Sequence, residues 1–222
     1  MGRAIRKLQR IRQGIAAEGW NMLPAILAEE LKLIDLSFVS SAGLGLSGED
    51  GYHHSSSLGY GLRRILRNVG VSSTDTILDL GCGKGGAIIA LSAFPFRRID
   101  GLDISQDLID IARRNLSRLR INRGELHCCN ATEFSDLDDY THIFIYNPFP
   151  GKVMAVVLNN LAASFRRRPR RFVLIYRNPT CDDLIAGTDL FATVMEFNEE
   201  GNSHTHVYIH DAATADWRSQ LP

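Results

Sequence analysis

The sequence predicts a doubly wound α/β domain with a seven-stranded sheet, mostly parallel and finished by a C-terminal antiparallel hairpin, with N-terminal helices in front. Three observations carry that expectation. From residue 76 onward, short apolar runs alternate with amphipathic helical stretches, the pattern of parallel strands joined by crossover helices. The first run, Ile77 to Gly86, breaks abruptly from apolar residues into glycine and then into a helical pattern. Near the end, Phe191 to Phe197 and His204 to His210 alternate like two strands joined by Glu199-Glu200-Gly201-Asn202, a hairpin.

Length and charge bound the answer. The chain has 222 residues, enough for one α/β domain with a large core plus an extension, and it divides into a helical extension and loop over 1–51 and the domain over 52–222. The 25 basic and 25 acidic residues cancel, so no overall field favours nucleic acid or a membrane surface. Cys82 sits in a glycine turn, Cys128 and Cys129 are neighbours and Cys181 stands apart, which suits a reducing compartment rather than a disulfide scaffold. The N-terminus carries charge where a secretory signal needs an apolar core, and no stretch approaches the ~20 apolar residues of a membrane span. The expected location is the cytoplasm.

Residues 3–17 set Arg3, Arg6, Lys7, Arg10 and Arg12 against Ile5, Leu8, Ile11 and Ile15 at near-helical spacing. Such a basic amphipathic helix docks its apolar side on the domain, or else touches an anionic surface. A second helix is expected from Pro24 to Leu36, with Leu27, Leu31 and Ile34 on one face and Pro24 suited to a first turn. Residues 40–57 are rich in Ser and Gly and read as a loop; it leads through Asp50-Gly51-Tyr52-His53-His54-Ser55 to a helix over Ser57 to Asn68.

The glycine turn then organises the chain. Thr76, Ile77, Leu78 and Leu80 fit a strand buried on both faces, while Gly81, Gly83, Gly85 and Gly86 remove side chains where the backbone turns. The helix from Ala87 to Phe94 aims its unpaired N–H groups at that gap. Two frames fit these letters. Gly81, Gly83 and Gly86 satisfy G-x-G-x-x-G, with Asp103 lying 20 residues past Gly83, as a dinucleotide site requires. The other frame, Asp79-x-Gly81-x-Gly83-x-Gly85, puts a carboxylate inside the strand; it would repel a pyrophosphate and suit a cationic ligand.

Downstream, a strand ends at Asp103, and a crossover helix runs from Gln106 to Leu119. A third strand spans Gly124 to Asn130, and the acidic stretch Glu133 to Asp139 reads as a solvated loop without metal spacing. Ile143 to Tyr146 form a buried strand that Asn147-Pro148 ends at the carboxyl edge of the sheet, where doubly wound folds place ligands. The helix Lys152 to Phe165 finishes in Arg166, Arg167, Arg168, Pro169, Arg170 and Arg171; cations there complement the helix dipole, and the run is also the stretch through which nucleic acid could be contacted. Phe172 to Arg177 make a fifth strand. In the hairpin, His204, His206, Tyr208 and His210 share one face, but no thiolate or carboxylate joins them, so packing is expected and no metal site.

Leu78-Asp79-Leu80-Gly81-Cys82-Gly83-Lys84-Gly85 resembles the first motif of class I S-adenosylmethionine (SAM)-dependent methyltransferases, and the resemblance extends over about residues 52–210. It implies that SAM is the cofactor. Asp79, Gly81, Cys82, Gly83, Lys84 and Gly85 would then surround its amino acid end, with the acid near the ammonium group. Asp103, followed by Ile104, matches the acid that holds the ribose hydroxyls. Asn130, with Ala131 after it, stands where an Asp usually meets the adenine amino group. Asn147-Pro148 resembles the Asn-Pro-Pro-aromatic motif of members acting on planar amines, in which the Asn oxygen and Pro carbonyl accept amine hydrogens; here Phe149 and then Pro150 follow instead. The Tyr-Asn-Pro-Phe form is also similar to a group of bacterial members. The loop before the Ser57 helix commonly covers the cofactor in this family, making Tyr52, His53 and Ser56 lid residues, and His53 or His54 a base. The implied reaction is methyl transfer to an unidentified acceptor, an amine slightly ahead of a hydroxyl. Two other readings stand beside it: an NAD(P)-linked oxidoreductase and a non-catalytic SAM-binding subunit.

Overall fold

A computed structural model describes residues 8–9, 11–16, 19–37, 61–146, 149–198 and 204–211. Tyr52, His53, His54, Ser56, Asn147 and Pro148 lie outside the described residues, as do the basic residues Arg3, Arg6, Lys7 and Arg10.

Within them the chain runs α1 (Leu23–Glu30), α2 (Leu62–Val69), β1 (Thr76–Leu80), α3 (Gly86–Leu91), β2 (Arg98–Asp103), α4 (Gln106–Arg118), β3 (Leu126–Cys128), β4 (His142–Tyr146), α5 (Gly151–Arg167), β5 (Phe172–Arg177), α6 (Asp182–Ala186), β6 (Thr193–Asn198) and β7 (His204–His210). The seven strands form one sheet in the order β3-β2-β1-β4-β5-β7-β6. The first five are parallel, and β7 is antiparallel to both neighbours. This is the doubly wound sheet with a terminal hairpin that the sequence predicts.

Period-two alternation assigns the two faces. Ile77, Ile99, Phe144, Val173, Ile175 and Val207 pack on one side with α1 to α4, together with Ile34 and Leu36. Leu78, Leu80, Leu102, Ile143, Ile145, Leu174, Tyr176 and Tyr208 pack on the other with α5 and α6. β1 and β5 are buried at every position, which is why they read as unbroken apolar runs. No helix among the described residues is long and apolar enough to cross a membrane. All four cysteines are free thiols.

Three elements end earlier than their patterns suggest. α1 stops at Glu30, and Lys32 takes the left-handed conformation (φ 56°) that turns the chain, so Ile34 and Leu36 reach the core from an irregular segment. α3 stops at Leu91, ahead of Pro95, which cannot donate to a further turn. β3 is three residues long because, as an edge strand, it pairs with β2 alone, over Gly101 to Asp103.

Candidate functional site

The site is built at the carboxyl end of β1. There Gly81 and Cys82 donate their N–H groups to the Leu102 carbonyl (2.8 and 2.9 Å), which swings the turn across the end of β2. Gly81 (φ 81°) and Gly85 (φ 83°) are left-handed, a conformation that side chains resist, and Gly85 caps α3. A Cβ on Gly101, inside β2, would collide with Ile88, Cys82 and Leu126, so this strand accepts no side chain where the turn lies over it.

Two carboxylates face the turn from the same side of neighbouring strands. Asp79 pairs in register with Gly101, and Asp103 lies two residues further along β2. Asp103 is internally engaged: Oδ2 accepts the Gly83 N–H and Oδ1 the Ser105 N–H, both at 2.9 Å. Burial raises its pKa, and those backbone hydrogen bonds oppose the rise. Asp79 is only 2% exposed, and its Oδ2 is buried without a hydrogen-bond partner. Burial first, and the charge of Asp103 second, push its pKa up to about 8. The Cys82 thiol is raised for the same reasons, by burial and then by both acids.

Lys84 has a different setting. Its side chain, 2% exposed, turns toward the N-terminal segment, where Nζ donates to Asp35 Oδ2 and Ser37 Oγ, each at 2.9 Å. Burial raises the Asp35 carboxyl, but hydrogen bonds from Ser37 and Lys84 outweigh it and bring the pKa down to about 2. Asn115 of α4 locks the same junction: its Nδ2 donates to the carbonyls of Asp35 (2.8 Å) and Lys84 (3.0 Å), and its Oδ1 accepts the Asp35 N–H. Asp35 and Asn115 escaped the sequence reading, because nothing local marks a contact that spans 80 residues.

At the far end, Ile104 is 40% exposed and Ala131 is buried. Asn130 Oδ1 accepts from both the N–H and the hydroxyl of Thr132 (3.0 and 2.8 Å). Both lone pairs of that oxygen are therefore taken, and what Asn130 offers a ligand is its Nδ2 donor.

Two expectations elsewhere are corrected. A carboxylate does join the histidine face of β7, since Asp182 of α6 brings Oδ1 to 2.8 Å from His206 Nδ1. His210 instead stacks on Phe165 at 4.0 Å, and among the described residues no three His, Cys, Asp or Glu side chains could hold a metal. The acidic loop is not simply solvated. Asp138 takes both Nε and Nη2 of Arg167, Asp139 pairs with Arg168, and Arg170 donates to the carbonyls of Leu137 and Tyr140. Much of the arginine run at the end of α5 is thus committed to its own chain.

Residues 77–167 match the family described as a methyltransferase domain. Release factor glutamine methyltransferase from Vibrio cholerae is 35% identical over 75 residues, a match covering 32% of this chain and 26% of that protein. The chain is therefore matched over about a quarter of that relative's length. Among solved structures, an RNA methyltransferase from Salinibacter ruber in complex with S-adenosyl-L-homocysteine superposes with a TM-score of 0.51 at 19% identity, covering 72% of this chain and 91% of that one. Precorrin-6y C5,15-methyltransferase from Geobacter metallireducens gives 0.52 at 19% identity, covering 69% and 89%. At such identities the likeness is one of fold.

Proposed function

We propose that the chain is a SAM-dependent methyltransferase, with its cofactor across the carboxyl ends of β1 and β2. The observation that carries this reading is the buried, unpartnered Asp79 Oδ2 beside a glycine turn. An orphaned carboxylate in a strand calls for a cation, and the ammonium end of SAM is one. A pyrophosphate would be repelled by the Asp103 carboxylate and would oppose ionisation of Asp79 further, which argues against the dinucleotide frame. The match of residues 77–167 to a methyltransferase domain supports the same reading.

Each residue then has a stated task. Asp79 holds the cationic amino acid end, and the backbone of Gly81 to Gly85 leaves it room. Each Asp103 oxygen spends one lone pair internally and keeps another, enough to accept from two ribose hydroxyls. Asn130 presents a donor, which suits a ring nitrogen of adenine better than its amino group. Lys84 acts through its backbone, its side chain being spent on Asp35. When bound, SAM supplies an already electrophilic methyl group, so the protein's work is to align an acceptor lone pair and exclude water. Asn147 and Pro148 would orient an amine acceptor, Tyr52 would cover the cofactor, and His53 would take a proton from a hydroxyl acceptor. The names of the similar proteins give glutamine, RNA and a precorrin as acceptors, so the fold does not choose among them.

Equilibrium binding of labelled SAM tests the reading. Asp103→Ala should weaken it by more than about tenfold, the worth of charge-assisted hydrogen bonds. Unchanged affinity in that variant, or binding of NADH in place of SAM, removes the assignment.

A further inference from the structure

A cleft of about 570 Å³ opens at the opposite, amino-terminal edge of the sheet. Gly70 and Val71, which lead into β1, and Phe94 and Pro95, which precede β2, form its floor; Trp20, Arg63 and Arg67 stand over it. β1 separates this cleft from the glycine turn, a distance of roughly 15 Å at the rise of an extended strand.

Its walls are not explained by folding. Trp20 is 75% exposed, the most of any large apolar side chain among the described residues. Arg63 lies in the first turn of α2, where the helix dipole disfavours a cation and where no acidic residue stands. Arg63 and Arg67 are spaced i and i+4, a like-charge arrangement that weakens a helix. Among the described residues neither guanidinium is paired with a carboxylate. Gly19 (φ 87°) lets the Arg63 guanidinium lie against bare backbone at the cleft, where a Cβ would collide with it.

The surroundings share this sign. Arg123 donates to the Phe94 and Phe96 carbonyls (3.1 and 3.0 Å), Arg171 donates to the Val69 carbonyl (3.1 Å), and Arg97 is exposed next to Phe96. Of the acids at this edge, Asp75 is turned inward to the N–H and hydroxyl of Ser72 (2.7 and 2.9 Å), and Asp138 and Asp139 are paired with Arg167 and Arg168.

We infer that this cleft binds a single-stranded nucleic acid segment, stacking a base on Trp20 and placing phosphates against Arg63 and Arg67. An exposed indole beside two arginines is the pairing by which single strands are held without sequence preference. An acidic peptide offers the charge without the ring, and a membrane surface needs a broader apolar patch than one indole. The site lies apart from the glycine turn, so it stands or falls independently of the methyl-transfer reading.

The test uses the full chain with Trp217→Phe, which leaves Trp20 as the remaining one of the two tryptophans. A fluorescein-labelled uridine decamer is titrated at low salt by anisotropy, while Trp20 emission is followed with the unlabelled strand. The expected result is saturable binding in roughly the micromolar range, weakening with salt, together with quenching of Trp20. Arg63→Gln with Arg67→Gln, and separately Trp20→Ala, should each weaken decamer binding at least about tenfold. Arg114→Gln, an exposed change on α4, should leave it unaltered, and circular dichroism should show all variants folded. Unchanged anisotropy in the double variant, unchanged Trp20 emission at saturation, or tripolyphosphate competing as well as the decamer would each overturn the inference. SAM affinity measured on the same variants should not move, whereas Asp103→Ala should leave decamer binding intact; the two readings thus fail separately.

Discussion

A carboxyl group whose pKa sits at about 8, as that of Asp79 does, couples cofactor binding to protons. A cation at Asp79 favours its ionised form, so binding below pH 8 must expel the proton that burial retains. Calorimetric titration of SAM at pH 7 in two buffers of different ionisation enthalpy should therefore show release of close to one proton, and affinity should rise with pH until about 8 and then level. Asp79→Asn should abolish the release and weaken binding. The sign for the free protein is opposite. A carboxyl raised on folding adds stability that is fully present below the ordinary carboxylate pKa and is lost as pH rises through about 8. Asp79→Asn should accordingly gain in thermal stability over the parent as the solution is made alkaline.

Among the elements, the junction of the 31–37 segment with the glycine turn and α4 is the most informative. Its ion pair is lopsided: the Lys84 side chain is 2% exposed, the Asp35 side chain 50%. Removing the exposed partner strands a buried ammonium, while removing the buried one leaves a carboxylate that water can reach. Asp35→Ala should cost about 3 kcal/mol and Lys84→Met about 1 kcal/mol in urea unfolding, where equally buried partners would cost the same. This junction also shows what a sequence can disclose. β4 and β5 were legible because burial on both faces writes an unbroken apolar run, and the hairpin because alternation writes period two. Asp79 and Asp103 were legible because their spacing from the glycines is local. Asp35 with Asn115, and His206 with Asp182, were not, since topology alone brings such partners together. Nor was the state of Asn130, whose oxygen is consumed by a hydroxyl two residues away.

For the whole molecule, Asp79 and Asp103 lie at one edge of the sheet, while Arg63 and Arg67 line the cleft at the other. The response to acid belongs at this scale too. His142, at the start of central strand β4, is buried against Phe96 with Nδ1 2.8 Å from the Thr141 hydroxyl. Burial pulls its pKa down to about 4; the Arg171 charge adds to the fall and Asp75 opposes it. A depressed histidine contributes stability that is present above its unfolded pKa near 6.5 and lost as pH falls through about 4. Unfolding midpoints in urea should drop between pH 6.5 and 4, and His142→Phe should flatten that part of the profile.

The placement of β7 between β5 and β6 has a consequence for synthesis. A ribosome delivers β6 before the strand it must pair with, and until residues 204–210 emerge the outer edge of Phe172–Arg177 has no neighbour. The sheet thus closes in one late event, by insertion rather than by adding strands outward. A nascent chain stalled short of that point would display an open, largely apolar β edge, the sort of surface that invites association with other chains or capture by a chaperone.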